Sequence, residues 1–180
     1  MALSLVDLDD PTRTEMQAEV AGDIATGNLY LSPRLSEIGR RDYPDLLQEA
    51  AARHDETWLA AQLRSGGRLN TRERSHSKTG TVIDKLVPVT AADTLAEGEF
   101  NRFYLRGLCR RANAADMAEI EVYRAKEVAN PRSESTTLIG RRLSAVALLA
   151  DLRVSIGVDT AFGLPPGPNS GLSGRLIAQP

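Results

Sequence analysis

Arginine at positions 102, 106 and 110 recurs every four residues. On a helix that spacing puts three guanidinium groups in one stripe. Such a stripe either pairs with nearby carboxylates while its stems cover core, or faces an acidic partner, a subunit or a nucleic acid. Glu97 and Glu99 lie just upstream and are the expected partners of Arg102 and Arg106 in the first case. A second set of cations, Arg68, Arg72, Arg74 and Lys78, falls in the polar run SGGRLNTRERSHSKTG over residues 65–80. That run reads as an exposed loop, or as a basic segment that orders on phosphate or carboxylate. It holds no aromatic residue, so a base-stacking platform is not indicated.

Other chemistry finds less support. Cys109 stands beside Leu105 and Leu108 and reads as a small buried hydrophobe. His54 and His76 are the two histidines, and no Cys/His spacing resembles a zinc site. Glu119 and Glu121 would share one face of a strand. With Lys126 they distantly suggest the acid–acid–lysine set of metal-dependent nucleases, but the tight Glu-x-Lys spacing is missing. SGGR and GPNSGLSG lack the strand and helix context of a phosphate loop. These residues define no catalytic site, metal site or cofactor site.

The elements that must position these groups are mostly helical. Asp10-Pro11 starts a helix over about 11–26, with Met16, Val20 and Ile24 on one face and Gly27 as its cap. Ser32-Pro33 leads a short turn to Gly39. Tyr43-Pro44 opens another helix, and Asp55 caps Glu56–Arg64. Thr81–Val89, TVIDKLVPV, is β-branched and apolar and reads as a strand ending at an edge. Thr90 or Asp93 caps the long helix that follows, with Leu95, Phe100, Phe103, Tyr104, Leu108 and Ala112 apolar. Gly98 and Gly107 each cost it about 1 kcal/mol against Ala, which implies that other backbones cross there. Glu119–Arg124 alternates as a strand expected to pair with 81–87. Residues 129–136 read as a loop, and Ser144 caps a buried helix over Ala145–Leu152.

From Gly157 on the chain holds four of its nine prolines and five glycines, so it cannot build a core of its own. The expected organisation is a single helix-rich domain over 1–156 and an extended arm over 157–180. The fold class is α+β, mainly helical: a helical N-terminal cluster, a small sheet around one long helix, and the arm. Leu164, Leu172, Leu176 and Ile177 are the apolar residues with which the arm would strap a neighbour. Composition agrees with a domain of this kind. Aromatic content is 4%, so small aliphatic side chains must fill the core. A net charge of −2 creates no global field toward nucleic acid or membrane. One cysteine forms no internal disulfide. The N-terminus MALSLVDLDDP lacks a basic, apolar leader, so the chain is expected to be made in the cytoplasm.

The runs VPVTAADTLAEGEFNRFYLRGLCRRA, EVYRAK, NPRSES and VDTAFGLPPGPNSGLSGRL resemble a family of virion-associated proteins of actinobacteria and their tailed phages. That resemblance implies a small structural protein of the virion: a minor capsid or decoration protein, or a head–tail connector component. Its implied partners are copies of itself and the major capsid or other virion proteins; the residues themselves suggest no membrane partner, since no stretch is apolar enough to span one, and no cofactor. The alternative from the residues is a nucleic-acid-binding protein or nuclease that uses the 68–78 segment and the arginine stripe.

Overall fold

A single helix, α4 (Ala91–Ala114), is the element against which most of the other helices and two of the strands pack. The computed structural model describes residues 2–76, 80, 82–129, 131, 133–156, 163 and 170–177. Ahead of α4 come α1 (Asp10–Thr26), α2 (Glu37–Arg53), α3 (Glu56–Arg64), β1 (Arg72–His76) and β2 (Val82–Leu86). After it come β3 (Glu119–Arg124), α5 (Ser133–Leu138), β4 (Arg142–Ser144), α6 (Ala145–Val154) and β5 (Leu172–Leu176). Among the described residues the strands form two antiparallel sheets, β1-β2 and β4-β3-β5. The fold is α+β and mainly helical, as its helical periodicities require.

Local signals place most helix ends. Asp9, one residue earlier than expected, caps α1 by accepting from the Thr12 N–H at 3.1 Å, and Pro11 sits in the first turn. Gly27 ends α1 in the left-handed region. Asp55 caps α3, and Ser144 caps α6. Thr90 makes no side-chain cap for α4. The expected break between Gly39 and Tyr43 is absent: α2 is one helix, capped by Ser36, with Pro44 inside it. The packing of Tyr43, Leu47, Ala50 and Ala51, all fully buried, outweighs the hydrogen bond that Pro44 cannot donate.

Helix α4 is buried around nearly its whole circumference from Glu99 to Cys109, not along one stripe. It packs on α1, α3 and α6, and also touches α2, β3 and β5. Gly107 is a true close crossing: a Cβ there would lie 2.8 Å from the Met16 amide nitrogen and 2.9 Å from the Thr12 carbonyl oxygen of α1. Gly98 is not one, because a Cβ there meets nothing within 4 Å.

The sheets differ from the expected pairing of 81–87 with 119–124. Residues 72–76, expected as loop, form β1 and pair with β2 in the register Arg72↔Leu86 to His76↔Val82. A hairpin closes a short connection at small entropic cost, which a β2–β3 pair spanning all of α4 would not. Strand β3 pairs instead with β4, Ile120↔Leu143, and with β5, Ile120↔Leu176 to Arg124↔Leu172. Part of the expected 129–136 loop is the short helix α5.

The end of the expected arm belongs to the domain. Leu172 is buried and Leu176 packs against the core. The outer edge of β5 is closed by side chains. Asn101 Nδ2 donates to the Leu172 carbonyl at 3.0 Å, Tyr104 Oη donates to the Gly174 carbonyl at 3.1 Å, and the Leu176 N–H donates to Asp7 Oδ2 at 2.8 Å. A segment too poor in apolar residues to build a core can still complete one. The N-terminal residues form no strand, but Ser4 N donates to the Ala125 carbonyl at 2.7 Å, and Leu5 and Leu8 pack on the core.

Candidate interaction surface

The arginine stripe is internal. Arg106, with its side chain 3% exposed, donates from Nε to Glu19 Oε2 at 2.8 Å and grips Asp23 with Nη1 at 2.6 Å and Nη2 at 2.8 Å. Arg110 pairs with Glu15 and, at 3.3 Å, with Glu19. Arg102 donates from Nη1 to the Leu152 and Ser155 carbonyls, at 3.3 and 2.6 Å, near the C-terminal end of α6. It also lies 3.5 Å from Glu99. The expected pairing with Glu97 and Glu99 is therefore half corrected. Glu99 does face Arg102, but Glu97 pairs with Lys126, and the carboxylates for Arg106 and Arg110 come from α1. Buried charge must be paired where it lies, and α1 is what lies over this part of α4.

Glu19 is the hub of this network, accepting from Arg106, Arg110 and Arg153. Burial alone would raise its pKa, but hydrogen bonds and charges from Arg153 and Arg106 prevail and hold the carboxyl down at about 2. Glu99 shows the opposite balance. Burial outweighs the attraction of Arg102 and pushes its carboxyl up to about 7. Burial also pushes the Cys109 thiol up to about 12, which leaves it protonated and unreactive.

Catalytic geometry is not assembled among the described residues. They contain no group of three or more His, Cys, Asp or Glu placed to hold a metal ion. Glu121 pairs with Arg175 across β3 and β5. His54 stacks on Trp58 with ring centroids 4.2 Å apart, an ordinary helix-end contact. A shallow apolar depression of about 150 Å³ is lined by Ile24, Gly27, Leu29, Leu31 and Pro44, none of which supplies an acid, base or nucleophile. No described helix is long and apolar enough to cross a membrane.

The residues expected to face a partner are therefore dispersed. Arg102, Arg106 and Leu172 are buried, which removes them from any docking face. Arg110, Leu176 and Ile177 are half-buried. Arg68 is tied to Asp42 at 3.0 Å, and Arg72 to Asp84 at 2.6 Å. Arg74 has no ion-pair partner among the described residues. Lys78 and Leu164 lie outside the described residues. With Arg68 and Arg72 neutralised by carboxylates, two of the four cations of the 68–78 run no longer contribute to a positive field.

What protrudes instead is the β1–β2 hairpin. Every residue of β2 is exposed. Val82 is 59% exposed, Ile83 42%, Leu86 69% and the following Val89 92%. Among the described residues the two strands pack chiefly on each other. Only the root is anchored. Arg34 donates to Glu73 from Nε at 2.6 Å and from Nη2 at 3.2 Å. The Asn70 N–H donates to the Arg34 carbonyl at 2.9 Å, and Asn70 Nδ2 donates to the Pro33 and Leu35 carbonyls at 3.2 Å each. The Arg34 hydrogen bond, helped by Lys85, holds the Glu73 carboxyl below its ordinary range. A two-stranded ribbon is marginal on its own in water, and clustered exposed aliphatics on an unpaired edge mark an association site.

Sequence reading missed this surface because VIDKLV looks like a core strand. The available signal was the Asp84-Lys85 pair at its centre, which puts one charge on each face and leaves neither face fully apolar. No protein-family model matches the chain, and no curated protein or solved structure is significantly similar to it.

Proposed function

We propose that this protein is a structural assembly subunit, a virion component of the minor capsid, decoration or head–tail connector type, that acts by associating with copies of itself or with another shell protein. The observation that carries the reading is the root-anchored β1–β2 hairpin, with three large aliphatic side chains of β2 in solvent and little packing of its described residues on the body. A monomer derives no burial from such an element, and a neighbour would. The virion setting rests on the resemblance of the runs quoted above.

Size-exclusion chromatography with light scattering, over a concentration series of the full chain, tests association. A defined oligomer is expected, and a strict monomer at every concentration argues against self-assembly. Mass spectrometry of purified virions tests the setting: the chain is expected at a fixed copy number, and its absence overturns the virion reading. The nucleic-acid alternative predicts DNA binding that falls steeply with salt. The carboxylate partners of Arg68 and Arg72 speak against it.

A further inference from the structure

We infer that β2 is the self-association strand: the β2 edges of two copies pair antiparallel across a two-fold axis at Asp84, joining two hairpins into one four-stranded sheet. This rests on the assembly reading and names its partner, a second copy of the chain.

The backbone decides which groups are free. The Val87 N–H donates to the Thr71 carbonyl directly opposite it, at 3.0 Å. In an antiparallel ladder, bonded and non-bonded pairs alternate. Ile83 and Lys85 therefore turn their N–H and C=O groups toward β1, and Val82, Asp84 and Leu86 turn theirs outward; the Asp84 carbonyl already accepts from Arg72 Nη2 at 2.9 Å and offers a new neighbour its second lone pair. A new antiparallel neighbour must match outward residues with outward residues. With the axis at Asp84, Val82 of each copy lies opposite Leu86 of the other, Asp84 opposite Asp84, and Ile83 opposite Lys85.

Side chains favour this register. Val82, Asp84 and Leu86 share one face with Arg72 and Arg74, their Cα partners on β1 being His76, Arg74 and Arg72 in that order. The paired sheet buries two Val82–Leu86 contacts, using the two most exposed aliphatics of β2. The two Asp84 carboxylates meet at the centre, each already bonded to Arg72 and flanked by Arg74. Two acids bracketed by four arginines are matched rather than repelled. Arg74, which has no ion-pair partner among the described residues, thereby gains a carboxylate row.

Other arrangements fit less well. Sliding by two residues either way cuts the overlap of the two β2 strands from five residues to three; one way also sets Lys85 against Lys85, and the other sets Val82 against Asp84. Pairing through β1 sets Arg74 against Arg74. The outer edge of β5 is already closed by Asn101, Tyr104 and Asp7. Main-chain hydrogen bonds would supply the affinity and the alternate side chains the register.

The test uses the full chain. Leu86→Asp places a carboxylate at an exposed position, so the helical circular dichroism stays unchanged while the dimer dissociation constant rises roughly 100-fold, since symmetry counts each substitution twice. Register is read by cysteine cross-linking. Val82 and Leu86 of opposed copies have Cα atoms about 5.5 Å apart, within disulfide reach, whereas Val82 and its own symmetry mate are about 14 Å apart. A mixture of Val82→Cys and Leu86→Cys chains is expected to form the mixed disulfide, and neither variant alone to form a disulfide-linked dimer. The buried, protonated Cys109 contributes no background. Cross-linking of Val82→Cys with itself overturns the register. A Leu86→Asp chain that assembles like wild type moves association to another face, overturning this inference but not the assembly reading. A wild type monomeric at all concentrations overturns the inference and leaves the virion reading to the mass-spectrometric test.

Discussion

Replacing Glu19 by Gln probes the one group on which α1, α4 and α6 converge. Gln keeps the volume and one acceptor but removes the charge that Arg106, Arg110 and Arg153 share. The Glu19 side chain is 3% exposed, so water cannot replace what is lost. Its carboxyl is held at about 2 in the fold against an ordinary value of 4.5. At ~1.4 kcal/mol per pH unit that difference is worth about 3 kcal/mol. The folded value is depressed, so the contribution is complete above about pH 4.5 and disappears as pH falls through 2. Urea unfolding followed by circular dichroism should place Glu19→Gln about 3 kcal/mol below wild type at pH 7, and less than half that far below it at pH 3. The magnitude agrees with the roughly 3–5 kcal/mol cost of breaking a buried ion pair from one side. A difference under about 1 kcal/mol at pH 7, or one that does not shrink in acid, would refute the hub.

Glu99→Gln should do the reverse. Protonation is favoured in the fold, so wild type loses stability as pH rises from 4.5 through about 7. The variant should match wild type near pH 5 and exceed it by about 1–3 kcal/mol at pH 8 in thermal melts. A variant no more stable than wild type at pH 8 would count against a strained carboxylate there. The two α4 glycines should part company. Gly107→Ala must push α1 away and lose about 1–3 kcal/mol. Gly98→Ala enters open space and should gain up to about 1 kcal/mol; equal melting temperatures would deny the close crossing. Ending the chain before Ser170 removes β5 and leaves Asn101 and Tyr104 without their carbonyl partners. It should abolish cooperative unfolding, whereas replacing 72–86 by a short glycine-serine link should leave the body's melting temperature within a few degrees. A truncated chain that melts cooperatively would show that β5 is dispensable to the domain.

Much of the helical skeleton is legible without coordinates, because its determinants are local. Asp55 and Ser144 cap, Gly27 terminates, and Phe100, Phe103, Tyr104 and Leu108 recur at helical spacing. Strand partnership is not legible, because pairing is a choice among edges. TVIDKLV and EIEVYR both read as strands, yet nothing in either says that the first pairs back with RERSH and the second forward with LSGRL. The arginine stripe was visible as a stripe, but its counter-ions on α1 lie more than eighty residues away. The candidate interface was hidden by its own composition, since exposed and buried aliphatics are spelled alike.

By itself, then, the sequence determined several helix ends, those of α1, α3 and α6 among them, that α4 would be the core helix, and that Cys109 would be a packing residue. Those outcomes follow from caps, periodicity and side-chain chemistry within a few turns of chain. Only the tertiary structure decided that Arg106 answers to Glu19 and Asp23, that Leu172–Leu176 joins the domain's own sheet, and that the apolar strand preceding α4 in the chain is left in water. Each depends on which distant surfaces meet, and a buried charge or an open strand edge acquires its meaning from the neighbour that covers it.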